Sequence, residues 1–522
     1  MFYLVIVILT LLQTVLVNWM MGLSVFDLSP YTIRLWSNYL AAALLLWSPM
    51  LFTKKKRWTY VIMLLLNLWF IGNLVYFRSY GDVLNRWCLQ SMGNMTGIWS
   101  SVLPFLHIED LIFPCFTLLW IILAEVLHPI CTISLSKRVG FAVIAFLLSC
   151  TPQTLILRKA ELPFSPFSSY YEDVSMGRIW YMHTFGAITH FANESFNYMF
   201  RAETPAAPVA HEEIKPFLQD TLSLNVEDNS NLLFVFFESW EYWTVGLCVG
   251  GEEVTPNINR LIALPQSACY PLQSQVRGGK SSDAQLIAFT GLLPIRNGAV
   301  SMRYAENTFP SWVKAANASA KQLFTPCEAT LWNQIMLARA LGFDSLYAET
   351  VSDKRLVKEV NRSISSAQGN WIIAMTTMAS HSPFIEYADS LALPNENSYS
   401  IDEQRYLQCV HYTDHALGLL IDRILSDSSL ASKTRIVITG DHPIFQLDRP
   451  VPFVLYDPFW APEEAGHALR QVDIYTTLVK RMNGPTGWRG LGRYLTDTTS
   501  VCEEELFVLS DRLIRTNYFH QP

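Results

Sequence analysis

Ten residues from Arg277 to Leu286, RGGKSSDAQL, gather two glycines, a lysine, two adjacent serines and an aspartate. A phosphate-cradling loop, a flexible linker and the seat of a nucleophile all use such residues. The first needs G-x-x-x-x-G-K-[ST]. Gly279, Lys280 and Ser281 supply its end, but Ser274 stands where the first glycine belongs. A linker explains the glycines and not the apolar LIAFTGLL that follows, which reads as a helix. A serine at a helix N-terminus has free backbone N–H groups and the positive end of the helix dipole beside it. That place suits a phosphate, yet a serine hydroxyl is a weak nucleophile until a base or a metal activates it. Three apolar runs end on groups able to help. NLLFVFF delivers Glu238, WIIAMTTMAS delivers His381, and TRIVITG delivers Asp441 and His442. Glutamate, aspartate and histidine together make ligands for a divalent cation. His411 and His415, with Asp414 between them, have the i, i+4 spacing that binds zinc in some helices. Here the pair reads as a solvated helix face.

The elements that must position these groups are legible around them. Short continuous apolar runs mark strands buried on both faces. SLYAET and VPFVLYD join the three runs above. Helical stretches such as LWNQIMLARALGF and DEQRYLQCVHYTDHALGLLIDRILSD lie between them. This alternation predicts an α/β domain with a largely parallel sheet, whose function collects beyond the carboxyl ends of the strands. No internal repeat is evident.

The chain ahead of this domain has another character. Of 522 residues 51% are hydrophobic and 13% aromatic, and the net charge of -7 offers no basic face for nucleic acid. Apolar runs at Phe2–Leu23, Leu35–Phe52, Trp58–Phe77, Leu111–Leu127 and Val139–Leu157 predict five membrane spans. The first lacks the basic region and cleavage site of a signal peptide. Glu125 in the fourth reads either as a functional polar group or as one reaching for the interface. Lys54 to Arg57, with Lys137 and Arg138, place two loops on the cytoplasmic side and everything after Leu157 outside. PFSPFSSYYED reads as a turn-rich stretch near the bilayer, RIWYMHTFGAITHFANESFNYMF as a helix lying on the membrane surface, and RAETPAAPVAHEE as a linker. The predicted organisation is a transmembrane domain over 1–160, juxtamembrane helices and linker over 161–228, and an extracytoplasmic catalytic domain over 229–522. The exported part holds an odd five cysteines, leaving room for one or two disulfides.

VFFESW, TPNINRLI, GGKSSDAQL, LWNQ, MASHSPF, TRIVITGDH, VPFVLYDP and QVDIYTTL follow one another along the exported half. With the spans before them they resemble the landmarks of the lipoteichoic acid synthase and phosphoglycerol transferase family, in the alkaline phosphatase–sulfatase superfamily. The resemblance implies a five-helix transmembrane domain followed by a sulfatase-like α/β domain. It implies Glu238, Asp441, His442 and the Ser281 oxygen around one divalent metal ion, Mn2+ being preferred to Mg2+ or Zn2+. Ser281 stands where the family has threonine and takes the nucleophile's role, with Ser282 as the alternative. His381, Trp332 and Asn333 fall on the substrate side. Two departures carry information. Gln334 replaces an arginine, removing a permanently charged phosphate clamp. SSDAQ lacks the proline and arginine that sulfatases need to convert their nucleophile. The implied protein sits in the bacterial cytoplasmic membrane. It is a metal-dependent transferase, taking a phosphoglycerol-type headgroup from a membrane phospholipid to an envelope glycan or lipid through a phosphorylated Ser281. A phosphoethanolamine transferase and a catalytically silent envelope-binding protein are the alternatives.

Overall fold

A computed structural model describes residues 1–26, 29–53, 55–86, 88, 102–127, 134–159, 177–200, 205–218, 230–388, 392–394, 398–482 and 487–520. The chain divides into two compact units, one of residues 1–89 and 102–204, the other of 90–101 and 205–522.

Among the described residues of the first unit three helices are long and apolar enough to cross a membrane: Phe2–Met20, Thr32–Phe52 and Arg57–Tyr80. The fourth expected span is the helix Ile112–Val126. Its 15 residues reach about 22 Å at 1.5 Å each, short of the ~30 Å hydrocarbon layer. The fifth lies in the 25-residue helix Leu135–Lys159, which is basic at both ends. Glu125 receives Lys56 Nζ at 2.5 Å and the Tyr60 hydroxyl at 2.8 Å, so the carboxylate is paired. RIWYMHTFGAITHFANESFNYMF turns one side into this unit and leaves Phe191, Tyr198 and Met199 exposed. It forms helices Gly177–Phe185 and Ala187–Phe200 that bury Tyr181, Met182, Phe185 and Ala187 inside this unit. Asn38 and Trp69 donate to their carbonyls at Thr184 and Ala187, 2.8 and 3.0 Å away. Helical spacing predicts the helices, but it cannot distinguish lipid from a neighbouring helix as the covering surface. PFSPFSSYYED lies outside the described residues.

Among the described residues the second unit has ten strands: β1 (Asn231–Phe237), β2 (Cys248–Val249), β3 (Glu252–Glu253), β4 (Ser267–Gln273), β5 (Ala320–Thr325), β6 (Ser345–Ala348), β7 (Trp371–Thr376), β8 (Thr434–Gly440), β9 (Val451–Tyr456) and β10 (Leu469–Arg470). β2 and β3 form a separate hairpin; the other eight make one sheet in the order β10-β4-β9-β8-β1-β7-β5-β6. β1 runs parallel to β7 and β8, and β5 parallel to β6 and β7. β9 alone is antiparallel to its neighbours β8 and β4. The continuous apolar runs have the predicted cause. Every residue of β1, β8 and β9 is buried, because helices cover both faces. Leu232, Phe234 and Phe236 meet Leu286, Phe289, Leu337 and Leu478 on one face. Leu233, Val235 and Phe237 meet Leu261, Val357, Leu417 and Ile421 on the other. Each large side chain so buried stabilises the domain by about 1.5–3 kcal/mol.

Register fixes what the rim presents. Phe237 is level with Gly440, and Phe236 with Thr376. Glu238 and Asp441 therefore leave adjacent strands at the same height, and the chain bearing His381 leaves the next strand beside them. Gly440 is needed where the strands part, because a Cβ there would collide with the Trp240 carbonyl oxygen. Among the described residues the cysteines are unpaired, so the disulfides with room in the composition are not formed there.

Candidate active site

Ser281 is the first residue of the helix Ser281–Thr290. The loop before it is tied by a carboxylate further along the same helix. Asp283 Oδ2 accepts from the N–H groups of Arg277 and Gly279, each at 2.9 Å. Gly279 leaves room for this grip, since a Cβ would collide with Asp283 Oδ1. Lys280 then takes φ +46°, a conformation rare for a side-chain-bearing residue and costing about 1–3 kcal/mol. The loop thus turns sharply just before the helix begins. Ser282 is turned inward and occupied: its Oγ donates to the Gly279 carbonyl at 2.7 Å and accepts from Ser301 Oγ at 3.1 Å.

Ser281 faces the rim instead. Its Oγ donates to Glu238 Oε2 at 3.2 Å and lies 3.5 Å from His442 Nε2. Ligand atoms of Glu238, Asp441 and His442, all buried, lie within 4.8 Å of one another. Each has one edge fixed by the fold and one left over. Asp441 Oδ1 accepts from the backbone N–H of Ser239 and of His442, at 2.7 and 2.8 Å. Its Oδ2 is 3.7 Å from His442 Nε2. Glu238 Oε1 accepts from Ser239 Oγ at 2.9 Å. The Glu238 backbone is held at its N–H by Thr377 Oγ1, 3.0 Å, and at its carbonyl by Ser380 Oγ, 2.5 Å. His442 Nδ1 donates to the Pro443 carbonyl at 3.0 Å, so Nε2 turns a lone pair toward the two acids.

The electrostatics follow from burial. Glu238 titrates well above the usual carboxylate range, first because it is buried and then because Asp441 is beside it. Burial also holds His442 below the ordinary imidazole value. Two buried carboxylates beside a neutral imidazole and a hydroxyl are an unfavourable group alone and a favourable one around a cation. Their atom types are those that bind Mn2+, Mg2+ or Zn2+, so the residues present fit one divalent ion.

His381 is half-buried, with Nδ1 2.8 Å from the Ser382 carbonyl. Burial holds its pKa down, and both Asp441 and Lys280 act on it. Asn333 connects more loosely: its Nδ2 donates to the Ser301 carbonyl at 3.1 Å, and Ser301 binds Ser282. Trp332 and Asn333 both take φ +51°, so two consecutive left-handed residues present this segment. Two contributors escaped the sequence reading. Lys280 was weighed only as part of a phosphate loop. It is half-buried, and burial pushes it down to about 8, with Asp441 and Glu238 pulling the other way. Asp353 is fully buried and accepts from Met378 N at 2.7 Å, Ala379 N at 3.2 Å and Thr413 Oγ1 at 2.7 Å. It anchors the chain leading to His381. Lys280 was readable from its place beside Ser281; Asp353, remote from every motif, gave no signal.

The histidine pair is not the solvated face expected of it. His411 is 5% exposed and Asp414 not at all. The helix Ile401–Leu425 is covered along this side by the helix Pro256–Ile262, which spacing alone could not announce.

Residues 1–173 match the family described as the lipoteichoic acid synthase N-terminal domain, and residues 230–483 match the family described as sulfatase. These two matches, in this order along the chain, support a place in the lipoteichoic acid synthase and phosphoglycerol transferase family. Among its relatives, the lipoteichoic acid synthase-like YvgJ of Bacillus subtilis is 24% identical over 477 residues, covering 82% of this chain and 75% of the relative. A lipoteichoic acid synthase of Staphylococcus saprophyticus is 21% identical over 454 residues, 81% and 69% of the two chains. The lipooligosaccharide phosphoethanolamine transferase A of Neisseria meningitidis shares the fold over 98% of both chains, with a TM-score of 0.58 at 10% identity. This protein is accordingly a phosphotransferase of the sulfatase-like superfamily.

Proposed function

We propose that this enzyme moves a phosphoglycerol-type headgroup from a membrane phospholipid to an envelope glycan or lipid. The reading includes five membrane crossings and a catalytic domain outside the cytoplasmic membrane. The observation that carries it is Ser281 Oγ, 3.2 Å from Glu238 Oε2 and beside Asp441 and His442. Glu238, Asp441, His442 and the Ser281 oxygen would hold one divalent ion, Mn2+ by preference. When bound, that ion lowers the hydroxyl pKa and neutralises charge on the phosphoryl oxygens.

The residues of the chain supply the rest. Ser281 Oγ forms a bond to phosphorus as the bond to the diacylglycerol oxygen breaks, leaving a phosphodiester on the serine. Glu238 Oε2 would receive the serine proton. His381, as imidazolium, would hand a proton to the departing diacylglycerol oxygen and, then neutral, would take one from the acceptor hydroxyl that later displaces Ser281. The N–H groups of Ser282, Asp283 and Ala284 are taken by the Gly279 and Lys280 carbonyls, so the start of the Ser281–Thr290 helix would offer the phosphate its dipole rather than free donors. Trp332 and Asn333 would border the headgroup.

One observation favours phosphoethanolamine as the transferred group. Gln334, buried and uncharged, occupies the position after Trp332 and Asn333, so no fixed positive charge is offered there. The test is the mass of the Ser281 peptide after reaction with a defined phospholipid while acceptor is withheld. Glycerol phosphate is the expected adduct, and phosphoethanolamine would establish the second reading. No adduct, with full turnover by Ser281→Ala, rejects the nucleophile assignment.

A further inference from the structure

His411 Nδ1 lies 2.9 Å from the Val254 carbonyl oxygen. A carbonyl can only accept, so Nδ1 carries the hydrogen and Nε2 of the neutral ring is a lone pair. That Nε2 is 3.2 Å from Nε2 of His415, with the rings at 79° to each other. Zinc–nitrogen bonds of about 2.0–2.1 Å at a tetrahedral angle put two ligand nitrogens about 3.3–3.4 Å apart. The observed edge is close to that length before any ion is considered. Donation of the remote ring nitrogen to a backbone carbonyl is also the arrangement that orients a metal-binding imidazole.

The pair stands on a fixed support. Asp414, between the two histidines, accepts from Asn257 N at 3.0 Å, Asn257 Nδ2 at 2.8 Å and Ile258 N at 2.9 Å. Both of its oxygens are therefore committed to joining the two helices. Glu252, exposed on the β2–β3 hairpin two residues before Val254, acts electrostatically on His411, and its side chain would have to swing toward the two ring nitrogens to join them. Two imidazoles and one carboxylate with room for water suit zinc better than the hard ions that an oxygen-rich site selects.

We propose that His411 and His415, completed by Glu252 and water, form a second site that binds Zn2+. The ion ties the helix Ile401–Leu425 to the β2–β3 hairpin and stabilises the domain without entering the reaction. The competing account is a proton shared between the two nitrogens. Glutamine at 415 keeps a hydrogen-bond donor for His411 and removes the imidazole ligand, so it separates the two.

The experiment uses the full chain in detergent, with Glu238→Gln and Asp441→Asn together removing both carboxylates from the first centre. After equilibration with Zn2+ and desalting, this protein is expected to retain one zinc per chain by elemental analysis and to melt at a higher temperature with Zn2+ than without. Adding His415→Gln is expected to reduce both the zinc and the thermal shift to nothing. Cobalt gives a readout that needs no substitution at 415: Co2+ should produce tetrahedral visible absorption that Zn2+ abolishes. The site is overturned if the doubly substituted protein retains no zinc. It is equally overturned if zinc retention survives His415→Gln.

Discussion

Two adjacent serines in the first turn of one helix have opposite fates because successive residues point about 100° apart around it. Ser281 Oγ looks out at Glu238, while Ser282 Oγ is spent on Gly279 and Ser301. Ser281→Ala should abolish turnover and remove only part of the bound metal, since three other ligands remain. Ser282→Ala should instead lower stability by about 1–2 kcal/mol for its two buried hydrogen bonds and keep most of the turnover. Thermal melting beside assay of a chromogenic phosphodiester checks both. If the two phenotypes are exchanged, Ser282 is the nucleophile. A second residue gives a dependence on pH. Glu386 has one buried oxygen without a partner, and burial together with Asp353 pushes it from its ordinary 4.5 up to about 7. The folded chain therefore prefers the protonated acid. That contribution is complete below about pH 4.5 and is lost as pH rises through 7. Glu386→Gln mimics the protonated form, so it should raise the melting temperature at pH 8 and leave it unchanged at pH 4.5. A rise of equal size at both pH values would mean that charge is not the cause.

At the scale of elements, the site depends on three strands ending level with one another and on what holds the chain beyond them. Asp353, the first residue of the helix Asp353–Ser366, grips the N–H groups of Met378 and Ala379, a few residues ahead of the rim histidine. Asp353→Ala strands two buried N–H groups, at a cost of about 1–3 kcal/mol each. It is expected to lower kcat with metal content unchanged, because His381 loses its placement while Glu238, Asp441 and His442 keep theirs. Loss of metal along with activity would show that the damage spread to the rim itself. Such supports explain what was legible beforehand. β1, β6, β7, β8 and β9 were read from their apolar runs, and the charges after them gave the candidate metal ligands. β4 and β5 were not read. β4 carries Pro271 and alternates between buried and exposed, and β5 opens on the polar Ala-Lys-Gln. The grip of Asp353 and the cover over His411 come from neighbours 25 and 157 residues away along the chain, which periodicity does not record.

At the scale of the molecule, the proposed function divides chemistry and lipid access between two units with separate cores. Composition alone revealed that division: charge-free runs before, strand and helix alternation after. It did not count the crossings, because an apolar run of about 17 residues can end as a helix of 15. The second unit owns two hydrophobic cores, one on each face of its sheet, and every candidate ligand. Residues 205–522 are therefore expected to fold alone, to melt cooperatively and to bind the first-centre metal. Their turnover of a small soluble phosphodiester should be comparable with that of the full chain, since no residue of the proposed chemistry is missing. Turnover of phospholipid in vesicles should differ. An anchor holds the site at the surface where donor is concentrated, and loss of such effective concentration weakens encounter by about a hundredfold or more. The comparison needs both substrates on both proteins. Equal loss on both would place part of the reacting machinery in the first unit. Equal retention on both would mean that the apolar helices serve location and not access to the donor.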